Sequence, residues 1–395
     1  MLVEILIAIL LGVTAGTLTG LTPGIHINLI GVLLVSLSLT SFSQMDPTIL
    51  ILFIVAMSIT HTFIDFIPSI FLGCPDTDTE LSILPGHELL KKGQGYQAVM
   101  LTNYGSLFSI ILISLIAIPS IFILPSIYNL TKPLIPYLLI LVSFFLIYLE
   151  KKKFTSFFVF LITGILGLCV LNNEFLKEPL LPLLTGLFGS SMLIISIKNK
   201  KQIPKQEIIN PKTKYFRPMF GALIASPFCC FLPGLGSSQA AIIGNLIAKT
   251  KDKDFLVLLG ATNTLVMGFS FISLYAISKT RTGSAVAIQQ IMDSFTPELL
   301  GLVILTILIS GFIAFFLTIY LTKIISQKIT NINYTKISIA TLLILFVVIF
   351  FISGFLGLIV FVISTFTGIY CIKLNVRRTN MMGCLIIPTI LYYFL

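Results

Sequence analysis

Long apolar runs separated by short polar turns set the pattern of this chain from end to end. Residues 2–39 read as an apolar helix, a break at Thr22-Pro23-Gly24 and a second, short apolar helix. Spans follow at 48–72, 97–124, 131–149, 155–171 and 180–196. A basic stretch, 198–217, interrupts them, and then the order returns: a broken apolar segment at 218–249 and spans at 254–277, 297–320, 336–353, 355–372 and 380–395. Apolar runs of roughly 17–25 residues are each long enough to cross a bilayer core as a helix. The pattern predicts an all-α polytopic membrane protein in three parts: a first membrane repeat at 1–197, a basic cytoplasmic linker at 198–217 and a second membrane repeat at 218–395.

The recurrence points to a duplication. Leu and Ile matches carry no weight in so apolar a sequence, so the polar matches decide. Pro23-Gly24 corresponds to Pro233-Gly234, Thr60-His61-Thr62 to Thr262-Asn263-Thr264, and Thr77-Asp78-Thr79 to Thr280-Arg281-Thr282. Their order is kept while the offset stays between 202 and 210, as expected of a diverged internal repeat.

The broken segments predict how the two copies are oriented. Residues 218–232 and 236–249 are each roughly 21 Å long as helix, against a hydrocarbon core of about 30 Å. Neither spans alone, so each break reads as the tip of a re-entrant hairpin. Five crossings per half remain, and an odd number gives the halves opposite, inverted topology.

Composition and charge agree with this plan. Hydrophobic residues make up 56% and charged residues 10%, against about 25% charged in ordinary soluble domains. A net charge of +10 would suggest a nucleic-acid partner in a soluble chain. Here, with the linker placed in the cytoplasm, all 25 basic residues except Lys132, Lys177, Lys279 and Arg281 fall in inside loops, as the positive-inside bias requires. No nucleic-acid partner is therefore expected; the surroundings are lipid. The N-terminus has no basic leader and carries Glu4, so it does not read as a cleaved signal. Six cysteines without Cys-x-x-Cys spacing and three dispersed histidines give no metal-ligand pattern.

Inverted repeats with broken helices are the build of secondary transporters. Two half-helix N-termini meeting near the midplane direct backbone N–H groups and about half a positive charge each at one site.

Two stretches carry a family resemblance. Pro23-Gly24 after a Gly-rich helix, followed by Gly86-His87-Glu88-Leu89-Leu90-Lys91-Lys92-Gly93-Gln94-Gly95-Tyr96-Gln97-Ala98, resembles the large membrane subunit (TctA) of tripartite tricarboxylate transporters. Pro233-Gly234-Leu235-Gly236-Ser237 is similar to the second Pro-Gly-Leu-Gly element of that family. The resemblance implies a permease for carboxylate-type anions driven by an ion gradient. It also implies work alongside a small membrane subunit and an extracytoplasmic binding protein. The chain departs from the family's uncharged motifs at Pro75-Asp76-Thr77-Asp78-Thr79 and Lys279-Thr280-Arg281-Thr282.

Three groups of residues are candidates for the site. The hairpin tips come first: Pro23, Gly24, His26 and Asn28 in one half, Pro233, Gly234, Gly236, Ser237, Ser238 and Gln239 in the other. Their freed N–H groups and hydroxyls suit an anion without burying a full charge; the plain alternative is a kink with small-residue packing. The matched loops come second. Thr77, Thr79, Asp76 and Asp78 correspond to Thr280, Thr282, Lys279 and Arg281 with the charges reversed, and read as anion and cation sites, as a gate, or as two solvated loops on opposite membrane faces. The shared Thr-x-Thr suggests helix N-caps. Third, His61 and Asp65 lie i, i+4 on one span, where an ionisable pair suits proton uptake or a structural hydrogen bond.

No Gly-x-Ser-x-Gly elbow, His-Glu-x-x-His motif or phosphate loop is present, so an enzyme is not expected. The reading is a secondary active permease of the cell membrane, moving a small organic anion by alternating access. No cofactor is expected beyond H+ or Na+ as coupling ion. The alternative is a translocase for a polyprenyl-phosphate lipid carrier, whose phosphate head suits Lys279 and Arg281.

Overall fold

The computed structural model describes residues 2–22, 35, 46–72, 78–148, 150–176, 179–199, 204–231, 236–250, 252–292, 295–329 and 334–394. Among these, every regular element is helical. In the first half the helices are α1 (Leu2–Leu21), α2 (Pro47–Ile64), α3 (Phe66–Leu72), α4 (Ile83–Lys91), α5 (Gly95–Thr131), α6 (Ile135–Tyr148), α7 (Lys153–Leu171), α8 (Leu180–Leu184) and α9 (Ser191–Asn199). In the second half they are α10 (Phe216–Cys229), α11 (Ser237–Ala248), α12 (Asp252–Ile277), α13 (Gly283–Ile291), α14 (Pro297–Lys328), α15 (Tyr334–Lys373) and α16 (Gly383–Phe394).

Seven helical segments among the described residues are long and apolar enough to cross a membrane, and two shorter apolar helices accompany them. The chain is a multi-pass membrane protein. At α15 a single 40-residue helix is divided at Gly354, whose φ of 67° and ψ of −164° lie outside helical space. The arms on either side are about 30 Å and 28 Å long, so the two spans expected at 336–353 and 355–372 meet there. Elsewhere the elements differ from the expected spans. The span at 97–124 continues as α5 to Thr131 with Pro119 and Pro125 inside it. The span at 180–196 contains a π-helical turn at Thr185–Ser190.

The span at 48–72 divides at Asp65, which caps α2. Pro68 is the physical reason, because it lacks the N–H that would bond the Ile64 carbonyl one turn back.

Helices α2 and α12 form the centre. Their most apolar stretches are 89% and 94% buried, against 22% for α15 at the lipid-facing edge. Helix α2 is flanked by α1 and α14, and α12 by α10 and α5. Hydroxyls within the two centres mostly bond their own helix one turn back, as Ser58 does to the Ile54 carbonyl and Ser270 to that of Val266. Such back-bonding satisfies polar groups where no water is available.

Small residues set the closest crossings. A Cβ on Gly260 of α12 would lie 2.0 Å from the Thr102 carbonyl oxygen of α5, and one on Gly105 of α5 would lie 2.2 Å from that of Val257. Ser106 and Ser109 of α5 then donate across the seam to the Gly260 and Ala261 carbonyls. Helices α10 and α11, about 21 Å and 18 Å long, lie against each other as the arms of a hairpin. Their contact is glycine on glycine, with Gly221 and Gly244 each closing on the other's carbonyl oxygen. Helix α1 spans 20 residues and is long enough to cross by itself, unlike α10.

Part of the polar linker is fastened to the helical body. The Gln206 side chain accepts from the Gly95 N–H at 2.7 Å and donates to the Leu90 carbonyl at 3.1 Å, while Glu207 N–H donates to the Gly93 carbonyl at 2.7 Å. The turn it grips is Lys91-Lys92-Gly93-Gln94-Gly95, within the stretch that carries the family resemblance.

Candidate functional site

The second hairpin tip and the two charged loops meet. Helix α11 begins at Ser237, and Gly236 before it donates its N–H to Gln239 Oε1 at 2.7 Å, which fixes the Gln239 side chain against the tip. The Ser237 N–H, one of the end groups that no helical carbonyl can satisfy, donates to Asp78 Oδ1 at 3.1 Å. The Ser237 and Ser238 hydroxyls both donate to the Asp78 backbone carbonyl at 3.3 Å. A side chain at Gly236 would be tight: its Cβ would lie 3.0 Å from Asp78 Oδ1 and 3.3 Å from Arg281 Nη2. One residue of each charged motif, Asp78 and Arg281, therefore reaches the same glycine.

Hydrogen bonds to backbone carbonyls help to hold both loops. In the 278–282 loop, Ser273 Oγ donates to the Lys279 carbonyl at 2.5 Å and Gln289 Nε2 to that of Ser278 at 3.1 Å. In the 78–82 loop, Thr79 Oγ1 bonds Ser69 Oγ at 2.5 Å and Ser82 Oγ donates to the Thr79 carbonyl at 2.7 Å. Thr282 occupies the N-cap position of α13 but makes no side-chain cap bond, and Ser82 rather than Thr79 precedes α4. The shared Thr-x-Thr thus does not work as a pair of hydroxyl caps, because the Thr79 hydroxyl is taken up by Ser69 on α3.

Donors remain open around this tip. Among the described residues, neither Lys279 nor Arg281 makes an ion pair or a side-chain hydrogen bond. The buried Thr280 Oγ1, Thr282 Oγ1 and Gln239 Nε2 likewise lack hydrogen-bond partners. Lys279 is exposed and Arg281 half-buried, so the cationic edge opens outward from a buried tip.

Behind the tip lies a buried polar chain. Asn263 Nδ2 donates to Asp65 Oδ2 at 2.8 Å, and Ser237 Oγ lies 3.5 Å from Asn263 Oδ1. Asp65 and Asn263 are each 4% exposed. His61 Nδ1 bonds Thr19 Oγ1 of α1 at 3.0 Å, so its ring contacts α1 while the Asp65 carboxylate contacts α12. The sequence pattern missed Asn263 as the partner of Asp65, since it ranks simply as the uncharged equivalent of His61. Pro23, Gly24, His26, Asn28, Asp76, Thr77, Pro233 and Gly234 lie outside the described residues. Also among the described residues, no group of His, Cys, Asp and Glu is placed to hold a metal ion.

Comparison with known proteins agrees with the architecture. The family model of the tripartite tricarboxylate transporter TctA family matches residues 6–383. An uncharacterized protein of Methanocaldococcus jannaschii is 34% identical over 400 residues, covering 98% of this chain and 98% of that protein. No solved structure matches. With the match running from α1 to the start of α16, the chain belongs to the tripartite tricarboxylate transporter TctA family, a family of membrane transport proteins.

Proposed function

We propose that the chain is the permease subunit of a secondary active transporter for a small organic anion of the carboxylate class. One observation carries the proposal: Arg281, without an ion-pair or hydrogen-bond partner among the described residues, stands at the glycine that opens α11. An unpaired guanidinium beside a helix N-terminus is an arrangement that an anion completes, and its fork matches a carboxylate in two hydrogen bonds. Ser237, Ser238, Gln239, Thr280 and Thr282 supply further neutral groups, with Lys279 drawing anions toward the site from its rim.

In this reading the two halves are inverted repeats in the cell membrane, and the site forms at the N-terminus of α11, where the second half meets the 78–82 loop of the first. The recurring helix order and the meeting of equivalent residues, Thr62 with Thr264 at 3.1 Å, support that relation. Alternating access follows when one half rocks against the other. A gradient of H+ or Na+ drives it, with His61, Asp65 and Asp78 as the ionisable groups nearest the path. A small membrane subunit and an extracytoplasmic binding protein complete the machine.

Reconstituted vesicles test this directly. Labelled citrate or succinate accumulates under an imposed H+ or Na+ gradient, and accumulation is lost with Arg281→Gln. Failure across a broad carboxylate panel, combined with stabilisation by a polyprenyl phosphate, would replace the carboxylate reading with lipid-phosphate translocation.

A further inference from the structure

The N-terminus of α11 already holds a carboxylate, and it belongs to the protein. Asp78 Oδ1 takes the Ser237 N–H at 3.1 Å, and the Asp78 backbone carbonyl takes both serine hydroxyls. That side chain comes from the opposite half of the chain, 159 residues away, and its Oδ1 lies 3.0 Å from where a Cβ on Gly236 would sit. We propose that Asp78 is a resident competitor of the transported anion, occupying the helix terminus until an incoming carboxylate displaces it. The inference rests on the anion site proposed above.

Charge makes the two occupants exclusive. The first N–H of α11 and its share of the helix dipole, about half a positive charge, serve one carboxylate well. A second one beside it meets like-charge repulsion in a poorly screened site. Arg281 reaches the same glycine without pairing to Asp78, and Gln239 Nε2 has no partner although Gln239 is 1% exposed. The donors around the tip are therefore incompletely used while Asp78 is seated. An external carboxylate that takes the Ser237 N–H also reaches the Arg281 guanidinium, which Asp78 does not do. Displacement would release the Asp78 side chain from the Ser237 N–H, leaving the 78–82 loop of one half joined to the hairpin of the other by the two serine hydroxyls. Arrival of the anion is thereby tied to a change in the contact between halves.

The test is citrate and succinate binding to the purified full-length chain in detergent, read by calorimetry and by thermal stabilisation. Asp78→Asn removes the competing charge and is expected to tighten binding at least tenfold. Asp78→Glu, which keeps a carboxylate, is expected to stay within about threefold of the unaltered chain. Asp78→Ser gives the same reading as Asp78→Asn should the latter fail to fold. Unchanged or weaker binding in the neutral variants, while Arg281→Gln still abolishes it, overturns the competitor role and leaves the anion site standing. Unchanged binding in Arg281→Gln removes the anion site itself, and the competitor with it.

Discussion

Thr62 Oγ1 and Thr264 Oγ1 meet at 3.1 Å in the buried centre, and the two residues close the matched Thr-x-Thr motifs of the sequence. Their protons can be assigned. Thr62 already donates to the Ile59 carbonyl at 2.8 Å, so its lone pair faces α12 and the Thr264 hydroxyl is the donor across the seam. The roles are thus unequal although the positions match. Thr62→Val leaves a buried donor on Thr264 without its acceptor, a loss on the order of 1–3 kcal/mol. Thr264→Val leaves Thr62 still bonded to Ile59 and costs less, about 0.6 kcal/mol as for a typical hydrogen bond between membrane helices. Thermal unfolding of the two variants in detergent gives the order; an equal loss in both would refute the assignment.

The same pair shows how much the sequence reveals. The Thr-x-Thr matches around His61 and Asn263 are visible because polar residues are rare in apolar runs, and the spans are visible because a 30 Å core demands about 20 apolar residues. The helix break at Asp65 is less visible, since Pro68 takes effect three residues before its own position. Least visible is the partnership of Asp78 with Ser237, a side chain meeting a helix end 159 residues away. Periodicity reports which face of a helix is apolar, but not which distant loop closes over its end. Asn263 escapes for a related reason: its value lies in donating to Asp65, a relation between two helices that neither segment encodes alone.

Asn263 is the donor that holds the Asp65 carboxylate inside the membrane, at 2.8 Å. Hydrogen bonds to charged groups contribute about 1.5–3 kcal/mol, so Asn263→Leu should lower stability by that order. Asn263→Asp is expected to reduce transport more severely, because two adjacent buried carboxylates cannot both ionise. Vesicle uptake of succinate separates the cases. Full activity in Asn263→Asp would mean that Asp65 needs no neutral donor.

Glycine substitutions should divide sharply by position. Gly260→Ala sets a methyl 2.0 Å from the Thr102 carbonyl oxygen, backbone that cannot rotate away, so α5 and α12 must separate. Such overpacking costs typically 1–3 kcal/mol, and more where only backbone can yield. Gly301 lies inside α14 with nothing within 4 Å of its Cβ position. Gly301→Ala should therefore be neutral or gain up to about 1 kcal/mol from helix propensity. Detergent melting curves that rank these two variants together would contradict the crossing geometry.

The linker offers the last discriminating change. Gln206 caps the buried Gly95 N–H with its carbonyl oxygen and donates through its amide to the carbonyls of Leu90, at 3.1 Å, and Pro204, at 2.6 Å. Gln206→Ala removes all three bonds. Gln206→Glu is nearly the same size and keeps the acceptor for Gly95, yet it sets carboxylate oxygen against two carbonyl oxygens. Glutamate is therefore expected to restore little over alanine, with both variants losing about 1–3 kcal/mol as buried groups go unpaired. Limited proteolysis at the lysines of 205–214 reads the result, since a released linker is cut faster than a docked one. Protection in Gln206→Glu equal to that of the unaltered chain would show that the Gly95 bond alone holds the linker.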